Sequence, residues 1–341
     1  VGLVNKDKRM TIKTLLPEID GKPYTLDQWL EKRKDIKMRF LDNIGTPNFP
    51  RNTRDIETIS STDCENYVRH KLRYIVGENE EIRAYLFVPT GVIAPAPAIV
   101  AMHQTNDFGK DEVAGLYGNK DYAYGHELTT QGYVVLAPDC LTAGERVFPG
   151  RTNFDSAPFY EKYPNWSMVG KDIEDSMSAI DVLCTLDFVD LNKIGVIGHS
   201  HGGSNAIFAM AMDDRVSVGV SNCGMSVISE EEKCLEWSAE DGYIYFPKLR
   251  KYLLEKKDLP FDLNEVAALI APRPWLNISA YYDKTLGNQE FLAEVGVQFN
   301  QVYKLYGKQN QFAYFMHGND HSFPKFARKL AYEWLHRFLK A

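Results

Sequence analysis

The stretch IGVIGHSHGGSNA, residues 194–206, places Ser200 in a Gly-x-Ser-x-Gly pattern between Gly198 and Gly202. Apolar residues precede this pattern, and a run of small residues follows it. That order predicts a strand, a tight turn and a helix, with the serine exposed on the turn. A serine on so sharp a turn has a strained backbone, and a side chain at position 198 or 202 would collide with neighbouring elements. The stretch therefore predicts a nucleophile elbow. The alternative is an ordinary glycine-rich turn with a solvent-facing serine.

The chain around this turn alternates short apolar runs with helix-length segments, which is the pattern of a parallel sheet. The predicted parallel strands are residues 98–103, 133–139, 193–198, 216–222, 274–280 and 312–317. Residues 67–76 and 81–89 alternate apolar and polar side chains and predict antiparallel strands at the start of the sheet. We therefore expect an α/β fold with a mostly parallel central sheet and helices on both faces.

Two further segments are predicted outside the regular alternation. Residues 26–41 follow Thr25 as an amphipathic helix, so residues 1–53 predict an N-terminal helical arm packed on the main body, residues 54–341. Residues 224–262 are first acidic and then aromatic, and they interrupt the strand–helix rhythm. We interpret this segment as a small inserted cap.

Composition excludes several classes of protein. The 341 residues carry a net charge of -7, so a nucleic-acid partner is not expected, because phosphate binding needs clustered Lys and Arg. No apolar run is long enough to cross a bilayer, and a membrane partner is not expected either. The five cysteines show no metal-ligand spacing and leave the compartment open.

The serine needs a base, because a hydroxyl is a weak nucleophile at neutral pH. The neighbouring His199 and His201 leave the turn in other directions and are badly placed to accept its proton. The fold order predicts an acid after a later strand and a histidine near the C-terminus. Asp283 follows the predicted strand 274–280, and His321 follows the last predicted strand. The candidate catalytic residues are therefore Ser200, Asp283 and His321.

Alternatives exist for both partners of the serine. His317 ends the last strand and is expected to be structural, and the loop residues between His317 and His321 argue against a metal pair, so no metal is expected. Asp320 competes with Asp283 as the acid, although an adjacent residue seldom folds back onto its neighbour's imidazole.

The predicted oxyanion hole consists of backbone N–H groups. One comes from His201, the residue after the serine, and the other from Gln104 or Thr105, in the loop that follows the strand 98–103. Four side chains are further candidates for the pocket wall: His103, Arg146, Trp166 and Trp237. The long aromatic loop that holds Arg146 and Trp166 is also compatible with a solvated surface loop.

The motifs GHSHGG, SAYYDKT and GNDHSF, at residues 198–203, 279–285 and 318–323, resemble those of the α/β-hydrolase superfamily. The motifs MHQTNDFGKDE and APDCLTAGER, at residues 102–112 and 137–146, resemble its dienelactone-hydrolase-like and acetyl xylan esterase branch. The resemblance runs from about residue 80 to the end and implies an α/β-hydrolase fold. It also implies hydrolysis of a carboxylic ester through an acyl-serine, without a cofactor.

The same resemblance suggests an acetylated plant-type polysaccharide, so the expected partner is a small-molecule or oligosaccharide ester. Many relatives carry Gln, Met or Leu where this chain has His201, so their acyl-pocket specificity does not transfer. Relatives are often exported by bacteria, and the chain begins with Val1, so a periplasmic or secreted protein is expected.

Two other functions are weighed against a carbohydrate esterase. A prolyl-oligopeptidase-like serine peptidase usually carries a propeller domain, but this chain has no repeats of blade length. A non-catalytic sugar-binding module on the same fold would not need all three candidate catalytic residues. The oligomeric state, the sugar and the acyl group are left open.

Overall fold

The computed structural model describes residues 12–230, 233–287 and 289–340. Within these ranges nine strands form one sheet, in the order β1-β2-β3-β5-β4-β6-β7-β8-β9. The strands are β1 (Arg54–Asp63), β2 (Tyr67–Val76), β3 (Glu80–Pro89), β4 (Ala96–Met102), β5 (Val134–Pro138), β6 (Val189–His199), β7 (Val216–Asn222), β8 (Trp275–Ala280) and β9 (Phe312–His317).

The sheet has an antiparallel part and a parallel part. Strands β1, β2 and β3 pair antiparallel in sequence order, and β3 pairs antiparallel with β5, with Ala84 opposite Pro138. Strands β5, β4, β6, β7, β8 and β9 pair parallel to their neighbours. The carboxyl ends of the parallel strands therefore meet at one edge of the sheet, together with the start of β3. This mixed sheet confirms the predicted fold class.

The described helices connect these strands and cover the sheet. They are α1 (Leu26–Ile44), α2 (Lys110–Val113), α3 (Tyr124–Thr130), α4 (Ala157–Lys162), α5 (Met168–Cys184), α6 (His201–Met212), α7 (Arg250–Leu254), α8 (Leu263–Ala268), α9 (Leu292–Leu305) and α10 (Lys325–Leu339). None of the helices in the described ranges combines the length and the apolar character needed to span a bilayer.

Two apolar clusters separate the helices into two layers. The first cluster joins one face of the sheet to α1, α5, α6, α8 and α9, and includes Ile180 and Phe208. The second joins the opposite face to α3 and α10, and includes Leu128 and Leu335. Helices therefore lie on both faces, because each sheet face must bury its apolar side chains against another element.

The N-terminal helix α1 begins with a capping box, in which Thr25 and Gln28 satisfy each other's backbone N–H groups. Its buried stripe includes Trp29, Ile36 and Phe40. The Phe40 ring packs 5.9 Å from that of Phe208 in α6, so α1 adds to the helical layer. Residues 1–11 of the predicted arm lie outside the described residues.

The segment 224–262 leaves the sheet after β7 and contains short 3₁₀ turns followed by α7. Phe246 is fully buried, and its ring packs 6.2 Å from Phe208 of α6 and 5.4 Å from Phe261. The aromatic half of the segment is thereby held against the helix that starts at Ser200. Residues 231–232 of the predicted cap lie outside the described residues.

Candidate active site

Ser200 lies in the turn between β6 and α6 with φ 54° and ψ -123°, a strained conformation for a residue with a side chain. Its N–H donates a 2.8 Å hydrogen bond to the carbonyl of Asn222, at the end of β7. A Cβ at Gly198 would lie 2.1 Å from the carbonyl oxygen of Gly202, and a Cβ at Gly202 would lie 2.0 Å from that of Met102. The tight packing of this turn therefore requires glycine at both positions.

The structure brings Ser200, His321 and Asp283 together at the carboxyl edge of the sheet. Nε2 of His321 lies 2.7 Å from Oγ of Ser200, and its Nδ1 lies 2.6 Å from Oδ2 of Asp283. The three residues follow β6, β9 and β8, whose parallel pairing aligns their carboxyl ends. The imidazole is therefore hydrogen-bonded on both nitrogens, which is the arrangement of a nucleophile, a base and an orienting acid.

The carboxylate of Asp283 is buried and held by its own loop. Its Oδ1 accepts hydrogen bonds from the N–H groups of Thr285 and Leu286, at 2.9 and 2.8 Å. Asp320 instead lies in solvent 3.5 Å from Nζ of Lys284, and it makes no contact with the His321 ring among the described residues. The geometry thus favours Asp283 over the competing acid.

His199 lies next to Ser200 in sequence, and its buried ring packs against that of His321, with centroids 4.9 Å apart. Its Nδ1 accepts a 2.7 Å hydrogen bond from the amide of Asn222, and its ring stacks on Tyr122 with centroids 4.7 Å apart. Burial, and then the nearby His321, hold the pKa of His199 well below its usual value. A neutral, packed imidazole of this kind agrees with the expectation that His199 does not accept the proton of Ser200.

The His201 ring is fully buried in a polar network behind the elbow. Its Nε2 accepts from the amide of Asn205 at 3.1 Å, and its Nδ1 lies 3.3 Å from the hydroxyl of Tyr245. Burial lowers the pKa of His201 to about 3. Both nitrogens are therefore occupied by partners other than Ser200, and the imidazole remains neutral at physiological pH.

The start of α6, which carries the predicted donor His201, lies against the end of β4, which precedes Gln104 and Thr105. A Cβ at Gly202 would lie 2.0 Å from the carbonyl oxygen of Met102 and 2.7 Å from that of His103, so the two backbone segments are in close contact. The first N–H groups of a helix have no intrahelical acceptor. In the described part of the chain, no backbone carbonyl accepts from the N–H of His201, Gln104 or Thr105.

His103 supports this loop and does not line an open pocket. It is buried, its Nδ1 donates to the carbonyl of Gln104 at 2.8 Å, and its Nε2 accepts from the N–H of Cys140 at 3.1 Å. The Gln104 side chain in turn donates to Glu112. The loop after β4 is therefore tied to the loop after β5, which fixes the backbone N–H groups at its start.

Two other predicted pocket residues, Arg146 and Trp166, lie away from the catalytic triad. Arg146 is buried and paired with Asp175 at 2.7 Å and with Glu80, so it is part of an internal ionic cluster. Trp166 packs 5.5 Å from Phe159 in a separate aromatic cluster. Neither contacts the Ser200 triad within the described ranges. Both side chains are drawn inwards by partners that the sequence pattern does not reveal.

Trp237 lies nearer to the elbow, since its ring packs 5.0 Å from that of Tyr245. Tyr243 and Tyr245 belong to the same segment and contact the His201 ring, with centroids 4.9 and 5.8 Å away. These two tyrosines were not among the predicted pocket residues. Their alternation in the run GYIYF was the available signal, because residues two apart in an extended segment share a face.

Asp172 was also missed by the sequence analysis. Its buried carboxyl accepts a 2.5 Å hydrogen bond from the hydroxyl of Tyr243 and lies 3.5 Å from Nε2 of His201. Burial raises the pKa of Asp172 to about 7. Its helical position on α5 signalled burial but gave no indication of a polar partner.

One group of side chains in the described ranges has the spacing of a metal site: Cys223, Asp283 and His321 each place a ligand atom within 4.8 Å of the others. The Cys223 thiol lies 3.7 Å from the carbonyl of Ser322, and burial together with Asp283 raises its pKa. A protonated thiol is a poor ligand, and the other two residues bond to each other. This chemistry fits a hydrogen-bonded triad better than a metal centre.

Comparisons with known proteins agree with this geometry. A family model described as "Glucuronyl esterase, fungi" matches residues 158–307. A carbohydrate esterase from an unknown prokaryotic organism is 30% identical over 357 aligned positions, which cover 89% of this chain and 81% of that protein. YtaP of Bacillus subtilis (strain 168), named as a hydrolase, is 29% identical over 258 residues, covering 74% of this chain and 81% of YtaP.

A solved structure shares the fold throughout. The glucuronoyl esterase from Solibacter usitatus superimposes with a TM-score of 0.73 at 19% identity, covering 95% of this chain and 97% of that one. The matches confirm the predicted superfamily and the predicted chemistry of ester hydrolysis. The chain belongs to the carbohydrate esterases of the α/β-hydrolase superfamily, which makes it a serine hydrolase of carbohydrate carboxylic esters.

Proposed function

We propose that Ser200, His321 and Asp283 hydrolyse the carbohydrate ester through an acyl-serine intermediate. The observation that carries this proposal is the unbroken hydrogen-bonded chain from Asp283 through His321 to Oγ of Ser200, with distances of 2.6 and 2.7 Å. It ends on a serine that the strained elbow exposes above the sheet. The alternative of a non-catalytic module gives no reason for this chain of contacts.

The reaction has two acyl-transfer steps. Oγ of Ser200 attacks the ester carbonyl while Nε2 of His321 takes its proton, and the imidazolium then protonates the departing alcohol. Water next attacks the acyl-serine with His321 again as base, which releases the acid and restores the serine. Asp283 holds the imidazole and stabilises its charged form without taking the proton.

The oxyanion of each tetrahedral intermediate is proposed to lie between the N–H of His201 and that of Gln104 or Thr105. A pair of fixed backbone donors of this kind stabilises the developing charge, and the loss of one donor typically costs about 3 kcal/mol. The contacts of His103 and Gln104 support this assignment, because they hold the loop in place before substrate arrives.

The first candidate substrate is an ester whose acyl part is a uronic acid. The matched model of glucuronyl esterases, over residues 158–307, supports this choice. An acetylated polysaccharide is the second candidate, favoured by the motifs that resemble acetyl xylan esterases. Since such polymers lie outside cells, we also propose that the protein is exported, and that segment 224–262 acts as a cap beside the site.

Assays with two model substrates distinguish the uronic acid ester from the acetylated polysaccharide. Release of benzyl alcohol from benzyl D-glucuronate, with little acetate released from acetylated xylo-oligosaccharides, supports the uronic ester, and the reverse result supports deacetylation. Ser200→Ala and His321→Ala are expected to lower kcat/KM for either substrate by about 10⁴-fold or more. Wild-type protein that cleaves neither substrate nor p-nitrophenyl acetate contradicts the proposed function, and cleavage of a chromogenic proline amide instead indicates a peptidase.

The proposal of export has its own test. Fractionation of the producing cells with an antibody against this protein is expected to place it in the periplasm or the medium. Recovery with cytoplasmic marker enzymes contradicts export and leaves the catalytic proposal untouched.

A further inference from the structure

A cavity of about 500 Å³ lies at the same edge of the sheet as Ser200 but does not include it. It is bounded by the turn between β2 and β3 on one side and by the loop after β5 on the other. The register that sets Ala84 opposite Pro138 places Glu80, at the start of β3, beyond the carboxyl end of β5. The cavity therefore lies at the rim of the sheet that carries the proposed active site.

Aromatic side chains form one wall of this cavity: Phe49, Phe148, Phe159, Tyr163 and Trp166. The rings other than Phe148 are held by contacts with one another, with the Trp166 ring 6.0 Å from Phe49 and 5.6 Å from Tyr163. Phe49, Phe148 and Tyr163 are only half-buried. Flat apolar faces that are rigid and partly open to solvent suit a ligand with an apolar face of its own.

Charged side chains also line the cavity, and their charges nearly balance. Two of the cations lie over aromatic rings, Lys162 at 4.7 Å from the ring centre of Tyr163 and Lys171 at 6.0 Å from that of Trp166. Three cationic side chains (Arg51, Lys162 and Lys171) and four carboxylates (Glu78, Glu80, Glu174 and Asp175) line the cavity. Most of these groups are paired, as in the contacts of Lys171 with Asp175 and Glu80. A strongly charged ligand would meet like charge on one side, so the balance favours a neutral ligand.

Glu174 is the exception to this pairing. Its side chain is half-buried at the cavity, and it forms no hydrogen bond or ion pair with other residues in the described ranges. Burial raises its pKa, which shows that its desolvation is not compensated. Arg51, whose positive charge opposes this rise in pKa, instead pairs with Asp181 at 3.4 Å. Glu174 therefore offers a hydrogen-bond acceptor to a ligand that brings hydroxyl donors.

We propose that this cavity is an accessory site for one or more neutral pyranose residues of the carbohydrate substrate, an inference that rests on the proposed function. A pyranose ring combines an apolar face for the aromatic wall with hydroxyl groups for Glu174. Strands β6 and β3 are three strand intervals apart, about 15 Å. A polysaccharide whose ester lies at Ser200 can thus reach the cavity with a segment a few sugar residues away.

Affinity electrophoresis in gels that contain soluble xylan, glucomannan or galactan tests the proposal, with Ser200→Ala protein to prevent turnover. Retardation by at least one polymer is expected. Adding Phe148→Ala or Glu174→Gln to Ser200→Ala is expected to weaken binding by about fivefold or more. In a protein with Ser200 intact, each change is expected to raise KM for the polymeric ester and to leave hydrolysis of p-nitrophenyl acetate within about twofold.

Phe338→Ala and Glu31→Gln serve as matched controls, because Phe338 lies near the end of α10 and Glu31 is exposed on α1. Both are expected to bind as Ser200→Ala does. No retardation by any polymer, or equal retardation of the cavity and control variants, overturns the accessory site. Failure of the proposed function is a separate result, namely the absence of ester turnover by the wild type.

Discussion

Oδ2 of Asp172 lies 3.5 Å from Nε2 of His201, in a buried network that also holds Tyr243 and Asn205. His201 follows the nucleophile directly, so this network anchors the residue whose N–H is proposed to bind the oxyanion. Burial shifts both pKa values towards the neutral forms, up to about 7 for Asp172 and down to about 3 for His201. Asp172 and His201 therefore belong to a hydrogen-bonded network around the elbow and do not form a salt bridge.

The raised pKa of Asp172 predicts a specific dependence of stability on pH. The pKa is 3.8 in the unfolded chain and about 7 in the folded protein, so the folded state binds more protons between these values. The contribution of Asp172 to stability is therefore lost as pH rises from about 4 to about 7, by on the order of 2–4 kcal/mol. Asp172→Asn is expected to flatten this part of the profile, measured by urea unfolding from pH 4 to 8.

Asp214→Asn is the control, since its side chain is 85% exposed. It is expected to follow the wild-type profile. Identical slopes for wild type and Asp172→Asn would show that Asp172 is ionised throughout this range and that its pKa is not raised.

The orienting acid is tested by exchanging carboxylates for amides. Asp283→Asn is expected to lower kcat by about 10⁴-fold, because an amide that donates to Nδ1 stabilises the wrong imidazole tautomer. Asp320→Asn is expected to keep the rate within about twofold, since Asp320 contacts Lys284 in solvent. Hydrolysis of p-nitrophenyl acetate measures both. The opposite ranking of the two variants would transfer the acid role to Asp320.

His201→Gln tests whether the ring or only the main chain at this position takes part. The N–H survives the substitution, so kcat/KM is expected to fall by no more than about tenfold. Stability is expected to fall by about 1–2 kcal/mol, because the substitution disturbs buried hydrogen bonds. Steady-state kinetics and thermal unfolding together distinguish a role of the His201 ring from a role of its main chain. A loss beyond about 10³-fold at unchanged melting temperature would assign the imidazole a direct catalytic part.

Gly202→Ala is expected to damage the elbow itself. The new Cβ would meet the backbone carbonyls of Met102 and His103 at 2.0 and 2.7 Å, so either α6 or the loop after β4 must shift. We expect a loss of about 1–3 kcal/mol in stability and a larger relative loss of kcat. For comparison, no atom lies within 4 Å of a Cβ at Gly318, so Gly318→Ala should unfold at the wild-type temperature. Equal melting temperatures for the two variants would contradict the packing argument.

Much of the fold was predictable because its signals are local. The apolar runs before Ser200 and Asp283 have the length and composition of buried strands, and each ends in a turn. The strained turn at Ser200 requires glycine on both sides, and this requirement is visible in the five residues from Gly198 to Gly202. The order of Ser200, Asp283 and His321 along the chain then followed from the order of the strands.

The pocket could not be predicted in the same way. Arg146 and Trp166 belong to a loop with the composition of an active-site wall, yet Arg146 is paired with Asp175 and Trp166 packs in an aromatic cluster. Those partners lie elsewhere in the sequence, and burial of a cation is tolerated only where carboxylates neutralise it. Composition alone does not show which way a long loop turns its side chains.

The sequence by itself determined the strands, the elbow at Ser200 and the residue types available for acyl transfer, because these depend on local periodicity and on the steric freedom of glycine. The order of strands predicted His321 as the base, but only the tertiary structure brings it within 2.7 Å of a serine 121 residues away. The same packing gives the rings of His199 and His201 other hydrogen-bond partners. The direction of a side chain depends on how the sheet edge and the helical layers pack around it. Residues that are adjacent in the chain can therefore point to separate sides of the same turn.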